Sequence, residues 1–365
     1  MKWLSHIAPG FAPDGSPILS VLGKRTYRFE NGKGAVVDEE QIPFIEADEF
    51  WGEGNPQKDA LKLESDLIAY KPMTDIIFIG RAHVPAGKKA PFIDIGLQVG
   101  NAKKIARVFG NRKAYVTGTG LAFSEAEPFS DMLLDYSGAY GGQDAKSDEG
   151  ITYLYLKNPV GRGYVLKNHP KAIQDLLLPN LEDPQKLLTP ENLVQGRYDR
   201  WKLGPEPVAF GYINKNSHPR FTLAGLQPED WMRAEADRQR AAHEAPEIGT
   251  PGSAKPQTVP PKLNPLFFNG AADGLRVPYL QGNESIKLAR LDPEFPQFGF
   301  ELPGERPTAW LDVGEGREDL AMVLQTLVIH KESNQLTLVW RGCAYYGGVE
   351  SMKEFTALEF GIKGD

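Results

Sequence analysis

The stretch Phe92-Ile93-Asp94-Ile95-Gly96-Leu97-Gln98-Val99 decides the fold class. Ile93, Ile95, Leu97 and Val99 fall on one side of an extended chain, and Asp94, Gly96 and Gln98 fall on the other. That period of two predicts a half-buried β-strand. Gly100-Asn101 follows, and Ile105, Arg107 and Phe109 lie beyond it. Lys89 to Gly110 therefore reads as a hairpin. Working outward, Asp75-Ile-Ile-Phe-Ile-Gly80 reads as a strand buried on both faces and closed by Gly80. Val323 to His330 and Leu336 to Trp340 are apolar runs on either side of Lys331-Glu-Ser-Asn-Gln335, a second hairpin rich in Val, Leu, Ile and Thr.

Helix signals are few. Lys171 to Leu178 predicts two turns stopped by Pro179. Pro228-Glu229-Asp230 opens a longer candidate towards Glu244, with proline at the first position and acids in the first turn. Apart from Trp231 and Met232 this helix has almost no apolar stripe. Prolines 246, 251, 256, 260, 261 and 265 then predict an extended connection over residues 246–265. It divides a larger β-rich part, 1–245, from a C-terminal β-rich part, 266–365, with the two able to pack as one unit. The prediction is a mainly β protein of packed antiparallel sheets, sandwich-like, with a few short helices and long loops.

Composition bounds the function. The chain of 365 residues has 38 glycines and 29 prolines, 67 in all. This exceeds the roughly 12% of average usage and fits a turn-rich chain rather than a low-complexity one. A net charge of -7 repels phosphate backbones overall and argues against nucleic acid as a partner. The single cysteine, Cys343, forbids an internal disulfide and a multi-cysteine metal site. The start, Met1-Lys-Trp-Leu-Ser-His6, lacks a signal-peptide apolar core, and no apolar run reaches membrane-span length. A cytoplasmic protein is expected.

Candidate chemistry is sparse. The six histidines, including His83 and His330, show neither an HxxxH nor an HExxH spacing, so no metal is predicted. Gly138-Ala-Tyr-Gly-Gly142 and Gly161-Arg-Gly163 match neither a P-loop nor a dinucleotide fingerprint and read as turn glycines. Acidic clusters at Glu125/Glu127 and Asp144/Asp148/Glu149 lack a calcium-loop spacing and read as solvated loop charge. No nucleophile elbow is present. No catalytic residue, cofactor or enzyme activity is assigned.

A series of short motifs carries more. Glu64-Ser-Asp-Leu-Ile-Ala-Tyr-Lys71-Pro72-Met-Thr-Asp75 is followed by Gly80-Arg-Ala-His-Val-Pro85-Ala-Gly87. Lys104-Ile-Ala-Arg-Val-Phe-Gly110-Asn-Arg112 comes next, then Glu127-Pro-Phe129 and Gly138-Ala-Tyr-Gly-Gly142. Asn158-Pro159-Val-Gly161-Arg162-Gly163-Tyr164, Leu178-Pro-Asn-Leu-Glu182, Leu327-Val-Ile-His330 and Val339-Trp-Arg341 complete it. In this order the series, spanning roughly residues 15 to 345, resembles a bacterial domain-of-unknown-function family of type VI secretion effector adaptors. The resemblance implies a non-catalytic cytoplasmic adaptor or chaperone. Its partners would be an effector toxin and the spike protein onto which the toxin is loaded. The sequence departs from the family pattern around Gln227 to Leu263, where its helix and proline-rich segment look longer.

Read physically, the motif residues are mostly scaffold. Lys71-Pro72 sets a turn into the strand from Asp75. Asn158-Pro159-Val-Gly161-Arg162-Gly163 is a turn that aims Arg162 at a carboxylate or at carbonyls. Trp231, Phe267 and Phe268 are the candidate partner anchors. A β-rich small-ligand module or enzyme with a loop-built site is the second reading, and a self-assembling component of the secretion machine is the third.

Overall fold

A computed structural model describes residues 2–85, 87–226, 263–314, 316–346 and 358–364. The helix expected from Pro228, its Trp231 anchor and most of the proline-rich connection lie outside the described residues.

The centre is a seven-stranded sheet. Its order is Leu4–Phe11, Pro17–Arg28, Gln335–Tyr345, Val323–His330, Thr74–Ile79 and Arg276–Val277, with Val36–Val37 beside Pro17–Arg28. Strands from both ends of the chain thus interleave in one sheet. The predicted C-terminal hairpin forms, and its second arm runs on to Tyr345. Within this sheet Thr74–Ile79 runs parallel to Val323–His330, and every other pairing is antiparallel.

The predicted Phe92–Val99 hairpin builds a second sheet of five strands, ordered Leu181–Glu182, Ala102–Phe109, Phe92–Val99, Ser285–Ala289 and Gln297–Glu301. Its alternating face (Ile93, Ile95, Leu97, Val99) is buried in one core with Phe78, Leu327, Ile329, Leu338 and Trp340 of the central sheet. Phe29 stacks on Phe300 at 4.1 Å, and Phe298 meets Phe29 edge-on. A three-stranded sheet, Arg317–Leu320, Thr308–Asp312 and Glu359–Lys363, packs Ala309, Leu311 and Leu320 on Leu19, Val21 and Ala344. Pro17–Arg28 is buried from Ile18 to Tyr27, which includes Lys24 and Arg25.

Short elements fill the periphery. Pro170–Ile173 makes one helical turn, capped by His169 and begun by Pro170, one residue before the predicted start at Lys171. The second predicted turn is absent. Asp175 takes a positive φ of 61° and swings the chain into the two-residue strand Leu176–Leu177, which pairs with Lys113–Thr117. Pro190–Leu193 and Arg220–Leu223 are also single turns.

His330 closes the strand Val323–His330. Burial pushes its imidazole down to about 4 from an ordinary 6.5, and the ammonium groups of Lys24 and Lys62 push the same way. The folded protein therefore holds it neutral while the unfolded chain protonates near 6.5. Below 6.5 the unfolded chain binds the extra proton, so stability falls with pH until the folded pKa is passed. At pH 5 this group removes on the order of 2 kcal/mol relative to pH 7.5. His330→Gln should flatten the fall in melting temperature between pH 7.5 and 5, leaving the smaller contributions of His83 and His218, whose values burial also lowers. An unchanged pH profile would contradict this reading.

Candidate functional site

The first motif proves to be an ionic lattice inside the protein. Lys71, 2% exposed, donates to Asp75 Oδ2 at 2.9 Å and to Thr326 Oγ1 at 3.3 Å. Asp75 also accepts from Asn269 Nδ2 and the Gly270 N–H, each at 3.0 Å, and from the Ala271 N–H at 3.3 Å. Glu64 meets Arg220 at 2.5 Å, and both side chains are fully buried. Asp66 takes Lys24 at 2.6 Å. Arg341, from the last motif, donates to the Lys71 carbonyl and to Tyr279 Oη. Each charge of the motif is thus neutralised internally, the condition under which a charge survives burial. Pro72 carries the chain between Lys71 and the strand Thr74–Ile79.

The fifth and sixth motifs of the series, Gly138–Gly142 and Asn158–Tyr164, form a second knot. Arg162 donates through Nε to the Ser137 carbonyl at 2.8 Å and through Nη1 to Asn180 Oδ1 at 3.0 Å. Asn158 Nδ2 donates to the Tyr136 and Tyr140 carbonyls. Tyr140–Gly141 pairs in parallel with Arg162–Gly163. A Cβ on Gly141 would lie 2.1 Å from the Asn158 oxygen, and one on Gly161 2.3 Å from Asn158 Nδ2, so the glycines of the two motifs exist to let these backbones touch. Pro159 sits inside the turn between them. Asn180, held by Arg162, accepts the Phe109 N–H at 2.7 Å and so fixes where the short strand Leu181–Glu182 lies on the second sheet.

Phe267 and Phe268 belong to the 3-10 turn Pro265–Phe268 and are half-buried. The Phe267 carbonyl accepts Arg220 Nε at 3.0 Å, and its ring lies 5.3 Å from the same guanidinium. Phe267 therefore completes the ionic lattice. Phe268 meets it edge-on at 5.4 Å.

The surface feature with binding capacity lies elsewhere. A cleft of about 930 Å³ opens beside the second sheet. Its lining contains six basic side chains (Lys103, Lys104, Lys157, Lys186, Lys202 and Arg276) against three acids, Asp183, Glu206 and Asp273. This is a net positive cleft on a chain of net charge -7. Lys157 is tied to Glu206 and to the carbonyls of Lys202 and Gly204. Burial lowers the Lys104 amine against the pull of Asp273 and Asp183, and its Nζ donates to the Asp273 carbonyl. Ile105 and Leu203, 44% and 81% exposed, add apolar surface. Sequence reading missed this site. The adjacent Lys103-Lys104 at the end of a strand was its only local signal, since the opposite wall comes from residues 202–208 and 273–276.

A smaller cavity of about 570 Å³ is lined by Phe29, Arg81, His83, Phe298 and Lys331. Its cations are already paired, Lys331 with Asp292 and Arg81 with Asp131. Among the described residues no group of three or more His, Cys, Asp or Glu side chains converges on a metal site, and no helix is long and apolar enough to cross a membrane. Cys343 lies 3.1 Å from Ser20 Oγ on the central sheet.

Residues 14–341 match a bacterial family described as an uncharacterized protein conserved in bacteria (DUF2169). The chain belongs to this family. The match covers the whole motif series, from the ionic lattice to Arg341, so the scaffold described above is set out on family residues. No curated protein and no solved structure matches the chain.

Proposed function

We propose that the protein is a cytoplasmic adaptor that binds a type VI secretion effector and helps load it onto the spike. The observation that carries the binding role is the cationic cleft. Lys103 and Lys186 face it without an ionic partner among the described residues, on a protein that is otherwise acidic. The charges of the first motif, Glu64, Asp66, Lys71 and Asp75, are consumed by the scaffold, whereas Lys104 of the third motif lines the cleft. The type VI assignment itself rests on the ordered motifs and their resemblance to effector adaptors.

Affinity capture from the native bacterium tests it. The tagged full chain should retain a toxin effector and a spike protein, both identified by mass spectrometry. The charge-reversed variant Lys103→Glu/Lys186→Glu, whose substitutions are exposed, should lose at least nine-tenths of both at physiological salt. Recovery of neither protein by the wild-type chain would overturn the reading. A small molecule retained in the 570 Å³ cavity and visible by native mass spectrometry would favour the ligand-module reading instead.

A further inference from the structure

The geometry points to strand addition: the open edge of Ala102–Phe109, at Lys103 and Ile105, takes an extended acidic segment of a protein partner as an added β-strand. This rests on the protein-binding part of the preceding reading and names how the cleft would hold its partner.

The argument starts from hydrogen-bond phase. Ala102–Phe109 pairs with Phe92–Val99 through a two-residue turn, with Val99 opposite Ala102. In such a hairpin the residues flanking the turn exchange both backbone bonds, and bonded pairs then alternate along the ladder. Ala102, Lys104, Ala106 and Val108 therefore spend their backbone groups inward, and Lys103, Ile105, Arg107 and Phe109 direct theirs outward. The Phe109 N–H goes outward to the Asn180 oxygen, in agreement with this phase.

Among the described residues the only strand on the outward side is Leu181–Glu182, which covers Arg107 and Val108 and no further. The chain then leaves the edge at Asp183, and Asp183 and Lys186 become part of the cleft lining. The outward N–H and C=O of Lys103 and Ile105 have no backbone partner among the described residues. An unpaired edge of this kind is a template for another strand. At roughly 3.3 Å per residue, Ala102 to Ala106 accommodates a segment of about five residues.

The cleft chemistry specifies that segment. Lys104 shares the inner phase of the strand with Ala102 and Ala106, and Lys103 and Ile105 share the outer one. An incoming strand would place alternate side chains on the two sides. The net positive lining, six basic groups against three acids with Lys103 and Lys186 free of ion pairs among the described residues, favours carboxylates, and exposed Ile105 gives an apolar neighbour to the residue between them.

The test uses the full chain and two synthetic octapeptides, one alternating Glu and Val, the other Lys and Val. The Glu-Val peptide should bind at least tenfold more tightly. Its binding should slow amide exchange at Lys103 and Ile105 and leave Lys104 unchanged, because that amide is already bonded. Ile105→Pro removes an outward N–H while sparing the inward ladder, and should weaken binding at least tenfold. If that variant fails to fold, Lys103→Glu/Lys186→Glu carries the test by reversing the preference between the peptides. Equal affinity for both peptides, no binding of the acidic one, or binding without protection of Lys103 and Ile105 would overturn the inference. Capture of effector and spike alongside a negative peptide result removes only strand addition. Loss of that capture alongside a positive peptide result removes only the type VI role.

Discussion

Asp75→Ala should destabilise the protein by on the order of 3–5 kcal/mol, the cost of stranding one member of a buried ion pair. Asp75 is fully buried on the strand Thr74–Ile79, between Val323–His330 and Arg276–Val277. Its carboxylate holds the Lys71 ammonium and three donors of the Asn269–Ala271 segment. Alanine leaves Lys71 with only Thr326 Oγ1 at 3.3 Å and Glu64 at 4.0 Å, and leaves two backbone N–H groups without an acceptor. Because folded domains are stable by only about 5–15 kcal/mol, this variant should sit near the edge of folding. Urea unfolding would measure it. Lys71→Met/Asp75→Ala should lose less than the sum of the single changes, because the double variant has no stranded ammonium. Lys33→Ala, at a pair with Glu30 in which both side chains are well exposed, should cost under about 1 kcal/mol. A change below about 1 kcal/mol for Asp75→Ala would show that the lattice does not stabilise the sheet.

The contrast between what was readable and what was not follows from burial. The Phe92–Val99 hairpin was legible because one face is wet, so polarity alternates and the turn is marked by Gly100-Asn101. Pro17–Arg28 is longer and more central, yet it gave no strand signal. Both its faces are covered, which erases alternation, and it contains Lys24 and Arg25. Their neutralising partners, Asp66 and Glu305, lie 42 and 280 residues away in sequence. Of the motif charges, only the Lys71–Asp75 spacing was local; its extension to Arg220, Asn269 and Arg341 exists only in three dimensions. The helix read over Lys171 to Leu178 stops after one turn because Gln174 turns out of the helical conformation and Asp175 adopts a left-handed one, a turn that apolar periodicity does not register. The cleft was hidden for a related reason. An open edge depends on how far the neighbouring strand extends, and Leu181–Glu182 is too short to be read from sequence.

Gly141→Ala should produce the second large effect and connect the motif knot to the cleft. Gly141 has φ of 149°, a conformation that L side chains rarely adopt, and its added Cβ would lie 2.1 Å from the Asn158 oxygen. The obstacle is backbone rather than the end of a flexible chain, so one of the two turns must move. Strained backbone and overpacking each cost about 1–3 kcal/mol. Moving Asn158 also breaks its bonds to the Tyr136 and Tyr140 carbonyls and shifts Arg162, which holds Asn180. Asn180 in turn accepts the outward Phe109 N–H and precedes Leu181–Glu182. The variant should therefore melt several degrees lower and also lose amide protection at Arg107 and Phe109, on the strand that borders the cleft. Gly118→Ala, where a Cβ would meet nothing within 4 Å and φ is not positive, should leave both readouts near wild type. A destabilised Gly141→Ala protein with full protection at Arg107 and Phe109 would separate the knot from the edge. Reduced protection at those two amides would mean that the glycines of the motif set how far Leu181–Glu182 covers the sheet edge.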